Sequence, residues 1–338
     1  MTEFRLEPLT RRWVIAGGDR ATRPNEFVDQ TNKRGGLTCP FCAGREDETP
    51  PAVAEYPAED ESDTWSVRVV PNKYPAVNGQ FATPASASPL SAMFSSQPAL
   101  GVHEVIVESP RHVIDLTDLT TAELTNTFLA YRDRLRASAE QGLSYAQVFK
   151  NVGAAAGASI EHSHSQVIGL PWIPSQLAEQ LQHSQEHFDQ HGRSLLGDLI
   201  AAEREAKTRI IAEEGGLLGW FPYASRFPFE CWITNTDAPA DFRWVTAGQI
   251  AELATFVRDL IRCIRHAGGV SAYNLILHTL PFDTNRYDHY HWHWEILPRT
   301  AKQAGFEWAT GHFINPVLPE IAAAAVRQTH AGCSVGEN

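Results

Sequence analysis

Basic residues are in short supply in this chain, with 28 Lys and Arg against 40 Asp and Glu and a formal net charge of −12. That balance provides no positive field for a phosphodiester backbone, which argues against a nucleic-acid partner despite an aromatic content of 10%. Long apolar runs are also missing. No window approaches the ~18 consecutive apolar residues of a membrane span, so no membrane partner is expected. Cysteine is sparse, with five in 338 residues. The odd count, and the isolation of Cys231, Cys263 and Cys333, fit a reducing compartment better than a disulfide framework. Met1-Thr2-Glu3-Phe4-Arg5 lacks the basic-then-apolar run of a secretory signal, so a cytoplasmic location is expected.

The remaining two cysteines form a Cys-x2-Cys knuckle, Cys39-Pro40-Phe41-Cys42. Such a knuckle points to zinc and needs two further ligands, for which histidines are the obvious donors. The densest chemistry lies at Gly157-Ala158-Ser159-Ile160-Glu161-His162-Ser163-His164-Ser165-Gln166. If the run after Ser159 is extended, alternation sends His162, His164 and Gln166 to one face, and the turn over 151–159 brings backbone N–H groups close by. A phosphoryl group bound there would meet a nucleophile and hydrogen-bond donors together. An isolated His-x-His on a half-buried strand is more often structural than functional; here the knuckle and the small-residue loop accompany it.

The chain also repeats itself. A strand-like His103–Ser109 precedes the helix-start signal Thr120-x-x-Glu123, a strand-like Tyr145–Phe149 and the His-x-His. The later half offers Phe229–Asn235, the signal Thr246-x-x-Gln249, a stop at Gly268-Gly269, then Tyr273–Leu277 and His291-Trp292-His293-Trp294-Glu295. Hairpins followed by a crossing helix predict an α+β fold: a tandem duplication with antiparallel sheets and packed helices. The expected division is an N-terminal half over 1–175, a degenerate C-terminal half over 176–330, and a tail over 331–338. The Ser/Ala/Pro-rich stretch Thr83–Pro98 reads as a mobile surface loop and a candidate lid.

These residues together resemble the galactose-1-phosphate uridylyltransferase family of the histidine triad superfamily, from Arg5 to about Glu320. The motifs are Leu9-Thr10-x-x-Trp13-Val14-Ile15 with Arg20-Ala-x-Arg23-Pro24, the knuckle, Val70-Pro71-Asn72, Ser109-Pro110-x-His112, the run from Phe149 to Gln166, and Tyr223-x-x-x-Phe227-Pro228-Phe229-Glu230. The resemblance implies a two-step exchange in which one histidine takes a nucleoside monophosphate from a nucleotide sugar and passes it to a sugar phosphate or to phosphate. His164 matches the nucleophile, oriented through the carbonyl of His162. Gln166 stands where hydrolytic relatives carry a third histidine; a neutral amide holds phosphate oxygens but shuttles protons poorly, which favours transfer over hydrolysis. Ser159 would face the phosphoryl group, and Asn72, Asn151 and Gly157 match nucleotide contacts. Arg20 and Arg23 match phosphate contacts that often come from a neighbouring subunit, so a homodimer is implied. Structural Zn2+ would sit on Cys39, Cys42, His112 and His162; spacing alone leaves His103 competing with His112.

A second metal is implied near His278, His291 and His293, with Glu179 or Gln180 close to the family's fourth ligand; a Trp-flanked His-x-His also suits core or sugar-site lining. The segment Gly305–Pro316 lacks the Lys-Phe-x-Val-Gly-Tyr-Glu pattern that grips the hexose in the best-known uridylyltransferases, and looks closer to the branch containing ADP-glucose phosphorylase. Uridylyl transfer from UDP-glucose is the first expectation. Adenylyl transfer to inorganic phosphate is the alternative, and a non-catalytic nucleotide-binding zinc protein is the third.

Overall fold

The computed structural model describes residues 3–6, 8–10, 13–16, 39–58, 65–77, 79, 99–282 and 289–333. Arg20, Arg23 and the 83–98 loop lie outside the described residues. The first half contributes β3 (Ala54–Tyr56), β4 (Val67–Pro71), β5 (Val102–Val107), α1 (Thr121–Glu140), β6 (Tyr145–Val152) and β7 (His164–Leu170). After α2 (Ser175–His191) and α3 (Leu195–Ala206), the second half supplies β8 (Ile210–Glu214), β9 (Leu217–Trp220), β10 (Cys231–Asn235), α4 (Ala247–Gly268), β11 (Tyr273–His278) and β12 (His293–Pro298).

All these strands join one ten-stranded sheet in the order β3-β4-β5-β7-β6-β11-β12-β10-β9-β8, with antiparallel neighbours throughout. Read inward from either edge, the two halves run the same way: β4-β5-β7-β6 is answered by β9-β10-β12-β11. This is the α+β architecture expected from the sequence, gathered into a single continuous sheet. The halves meet where β6 pairs with β11, Phe149 opposite Ile276 and Asn151 opposite Asn274.

Both long helices begin as their sequences dictate. Thr120 Oγ1 accepts the Glu123 amide at 3.1 Å while the Glu123 carboxylate accepts the Thr120 amide at 2.8 Å, satisfying two otherwise orphaned donors. Thr246 and Gln249 repeat the arrangement for α4, which stops at Gly269 in the left-handed region, φ 60°. The apolar faces of α1 and α4 bury against the inner sheet face in one core that includes Phe128, Leu253, Val257, Val148, Leu275 and Trp294. Phe128 and Trp294 rings sit 5.3 Å apart, so the helix of one half rests on a strand of the other.

The opposite face carries the polar motifs. Over the second half it is partly covered by α3, whose Leu195, Leu196 and Ile200 pack with Leu9, Trp220 and Trp232. A small second sheet joins β1 (Glu3–Leu6) and β2 (Trp13–Ala16) to β13 (Phe313–Asn315), which follows α5 (Gly305–Thr310). The N-terminal strands therefore pair with the C-terminal part of the chain. The last helix, α6 (Pro319–Cys333), runs into the segment expected as a tail from 331.

Candidate active site

Strand β7 lies between β5 and β6, with His164 opposite Val107 and Gln166 opposite both Val105 and Phe149. Side chains directly across an antiparallel ladder share a face. One step beyond the Lys150–Ser165 pair, that register sets Asn151 across from His164. Asn151 in turn faces Asn274, so nucleophile candidate, loop asparagine and a residue of the second half form one row.

His164 is buried, 7% exposed. Its Nδ1–H donates to the His162 carbonyl at 2.7 Å, which leaves Nε2 with its lone pair free. Burial lowers its pKa, so the ring is neutral near neutral pH. Gln166 is aimed in a similar way. The Ala76 amide donates to His103 Nδ1 at 3.0 Å, so the proton of neutral His103 sits on Nε2 and is given to Gln166 Oε1 at 2.9 Å. With its oxygen turned to His103, Gln166 is oriented to present its NH2 to a ligand. Asn72 Oδ1 accepts the Tyr74 amide at 2.8 Å, leaving its amino group beside His103.

The loop after β6 needs its glycines. Gly153 (φ 81°) and Gly157 (φ 91°) occupy a region L side chains rarely adopt, and a Cβ on Gly153 would lie 2.8 Å from that of Ala272. Asn274 Nδ2 ties the loop down, donating to Asn151 Oδ1 at 2.7 Å and to the Ala156 carbonyl at 2.9 Å. Ser159 stands exposed at its far end.

The knuckle meets this strand. Cys39 Sγ is 3.5 Å from His162 Nδ1, Cys42 Sγ is 3.6 Å from the same atom and 3.4 Å from His112 Nδ1. Donors on a tetrahedral zinc, at ~2.3 Å for sulfur and ~2.0 Å for nitrogen, stand about 3.5 Å apart. All four ligand atoms lie within 4.8 Å of one another, so the donor set and its spacing fit a closed tetrahedral metal site. His162 Nε2–H donates to the Ser109 carbonyl at 2.9 Å, which turns Nδ1 toward the sulfurs. Between His103 and His112 the geometry chooses His112, since His103 is engaged with Gln166. The Ser109-Pro-Arg111 turn that delivers His112 is anchored on α1: Glu123 accepts from Ser109 Oγ at 2.6 Å and pairs with Arg111 at 2.5 Å. Phe41, inside the knuckle, packs its ring 6.0 Å from His162 and 5.4 Å from His164.

Beneath the strand lies a buried network that sequence reading missed. Alternation sends Ser163 and Ser165 to the helix side, where the Glu108 carboxylate receives both hydroxyls, Lys150 Nζ at 2.5 Å and Tyr131 OH at 3.1 Å. Lys150 also donates to Ser163 Oγ at 2.8 Å and to the His164 carbonyl at 3.2 Å. Burial raises the Glu108 carboxyl, but Lys150 and the two serine hydroxyls outweigh it and hold the pKa below the usual carboxylate range. The Ser-between-His pattern was the available signal, because serines alternating with site residues must be satisfied on the buried side.

The second histidine set differs from expectation. His278 and His293 stack with centroids 4.7 Å apart, and Glu295 joins them. His291 does not: its Nδ1 lies by Thr234 Oγ1 and its Nε2 by the Ala238 carbonyl, so both ring nitrogens are engaged away from that pair. His278 Nε2 is 3.0 Å from Glu295 Oε2 but poorly aligned, and the same oxygen accepts from Arg226 at 2.8 Å. Burial pushes the His293 imidazole down to about 3, and its Nδ1 has no hydrogen-bond partner among the described residues. On α2, Gln180 is buried and Glu179 exposed, so Gln180 is the inward-facing member of that pair.

Fold and site together define a nucleotidyltransferase. The family described as galactose-1-phosphate uridyl transferase, N-terminal domain, matches residues 1–174. An ADP-glucose phosphorylase of Arabidopsis thaliana is 33% identical over 96% of this chain and 92% of its own length. A galactose-1-phosphate uridylyltransferase of Thermotoga maritima is 25% identical over 97% of this chain and 99% of its own. The crystal structure of an Arabidopsis thaliana ADP-glucose phosphorylase with bound ADP-glucose superposes with a TM-score of 0.81 at 32% identity, covering 97% of this chain and 98% of that one. The chain belongs to the galactose-1-phosphate uridylyltransferase family. Among the described residues no helix is long and apolar enough to cross a membrane.

Removing one partner from the buried Lys150–Glu108 pair strands a charge away from water. Lys150→Met should cost roughly 3–5 kcal/mol of stability, read by urea unfolding, and adding Glu108→Gln should recover part of the loss.

Proposed function

We propose that the chain moves a nucleoside monophosphate from a nucleotide sugar to a phosphate-bearing acceptor through a covalent nucleotidyl-His164 intermediate. The observation that carries this reading is the tie from His164 Nδ1–H to the His162 carbonyl, which fixes Nε2 as the free nucleophilic nitrogen beside an amide donor. In the first step Nε2 attacks the α-phosphorus and the bond to the bridging oxygen breaks, releasing sugar 1-phosphate. In the second an acceptor phosphate oxygen attacks the same phosphorus and the P–N bond breaks, returning neutral His164. The Gln166 amino group and the exposed Ser159 hydroxyl are assigned to the non-bridging oxygens, where donors stabilise developing charge. Asn72, Asn151 and Gly157 are assigned to the nucleotide. Arg20 and Arg23 are assigned to phosphate in a homodimer with shared sites, on the family pattern alone.

The donor and acceptor assigned first are ADP-glucose and inorganic phosphate, supported by the identity to ADP-glucose phosphorylase over nearly the whole chain and by the missing hexose-gripping pattern in 305–316. Uridylyl transfer from UDP-glucose to a sugar 1-phosphate is the second reading, favoured by the family match and the bacterial relative.

The metal proposed on Cys39, Cys42, His112 and His162 is zinc. These four protein donors would fill a tetrahedral site, and the metal would fix the chain that leads into His164. A second divalent cation is proposed on His278, His293 and Glu295, supported by the orphaned, buried His293 Nδ1.

Two measurements check these assignments. Brief incubation with ADP-glucose or UDP-glucose, without acceptor, should add one nucleotidyl mass to the intact protein and none to His164→Gln; adduct on both chains, or on neither with either donor, would overturn the reading. Cys39→Ser should lose one metal equivalent and with it stability, whereas His293→Ala should lose only the other; unchanged metal content would remove the corresponding site.

A further inference from the structure

Resting on the transfer reading above, the geometry points to Arg299 as an anion subsite that receives the phosphate of the leaving group and of the acceptor. The row of paired residues gives the site a direction. Asn72, assigned to the nucleotide, lies on the β4–β5 side of His164, and Asn151, assigned to the same nucleotide, lies directly across from His164 on β6. With those two positions taken by the nucleotide, the departing and incoming phosphate is placed beyond Asn151, toward Asn274. Across that side, Asn274 pairs with Leu297 of β12, and Arg299 follows two residues later on the same face.

Arg299 is built to present a cation there. Its Nε–H donates to Asn274 Oδ1 at 2.5 Å, and Asn274 is the residue whose amino group holds Asn151 and the Ala156 carbonyl. Its guanidinium lies over the Phe227 ring, 5.3 Å from the centroid, and Phe227 meets Phe313 at 5.7 Å. Its neighbour Arg226 is neutralised by Glu230 and Glu295. Arg299 itself is half-buried and has no carboxylate partner among the described residues. Burial and the Arg226 charge lower its pKa, yet a guanidinium remains charged in proteins. A half-buried cation with an aromatic floor, its Nε taken by the loop that holds the reacting phosphate, lacks one thing: an anion on its terminal N–H groups.

In a double displacement the leaving and incoming phosphates use the same place in turn, so one subsite serves both. A nucleoside monophosphate has no such group and does not reach it. Arg299→Met keeps the contact with Phe227 and removes the charge. It should raise KM for the acceptor by roughly ten- to hundredfold, with inorganic phosphate and glucose 1-phosphate tested as separate acceptors, while inhibition by AMP and UMP stays within about twofold of the unaltered chain. The acceptor whose KM moves identifies the phosphate source. Arg299→Lys should recover part of the loss, and serves alone if the Met variant does not fold. Unchanged acceptor KM in the folded variant, or equal weakening of monophosphate and acceptor, would overturn the subsite. Adduct formation by the unaltered chain is the control for the transfer reading: no adduct there refutes that reading, whereas adduct formation with an unmoved acceptor KM refutes only Arg299.

Discussion

A slip of one residue in β7 and the two residues leading into it would send His162, His164 and Gln166 into the helix-facing core and turn Ser163 and Ser165 toward the ligand. The site depends on preventing that slip, and the strand is held from both sides. On the open side His162 is drawn to the knuckle and to the Ser109 carbonyl. On the buried side the two serines and Lys150 close on Glu108, which is itself fully buried. The two holds act on alternate residues, so the strand cannot satisfy either in a shifted register.

The same logic places the knuckle close to the chemistry. Phe41 lies between the two cysteines and packs against both histidine rings, so the knuckle and the proposed nucleophile share a packing contact. From the other direction, α1 uses the carboxylate of its capping box to hold the turn that carries His112. The second half enters through β11: Asn274 crosses the seam and fixes the loop between β6 and β7. The second half of the sheet thus keeps a structural hold on the loop of the first.

Much of this was legible in the sequence because the signals were local. Period-two alternation placed His162, His164 and Gln166 together, Thr-x-x-Glu and Thr-x-x-Gln marked the two core helices, and the knuckle marked a turn whose cysteines meet two histidines. What escaped were pairings across long separations. Nothing near Lys150 names Glu108 as its partner, and nothing near His103 says that it aims Gln166, because both contacts arise only when β5, β6 and β7 lie side by side. His291 was misplaced for the same reason: its spacing from His293 suggests a shared face, but its ring turns to Thr234 Oγ1 and the Ala238 carbonyl, partners more than fifty positions away. The pairing of β2 with β13 joins residues about three hundred positions apart, and no local pattern encodes it.

The most direct test of the account asks which nitrogen of His164 carries the nucleotidyl group. Protein labelled with 15N-histidine, loaded from ADP-glucose or UDP-glucose and observed by 31P and 15N NMR, reports the phosphorus-bonded nitrogen through its coupling. The hydrogen bond from Nδ1 to the His162 carbonyl requires the bond to phosphorus at Nε2 of His164. Phosphorus on Nδ1, or on another histidine, would contradict the placement of the nucleophile and the role given to the strand that holds it.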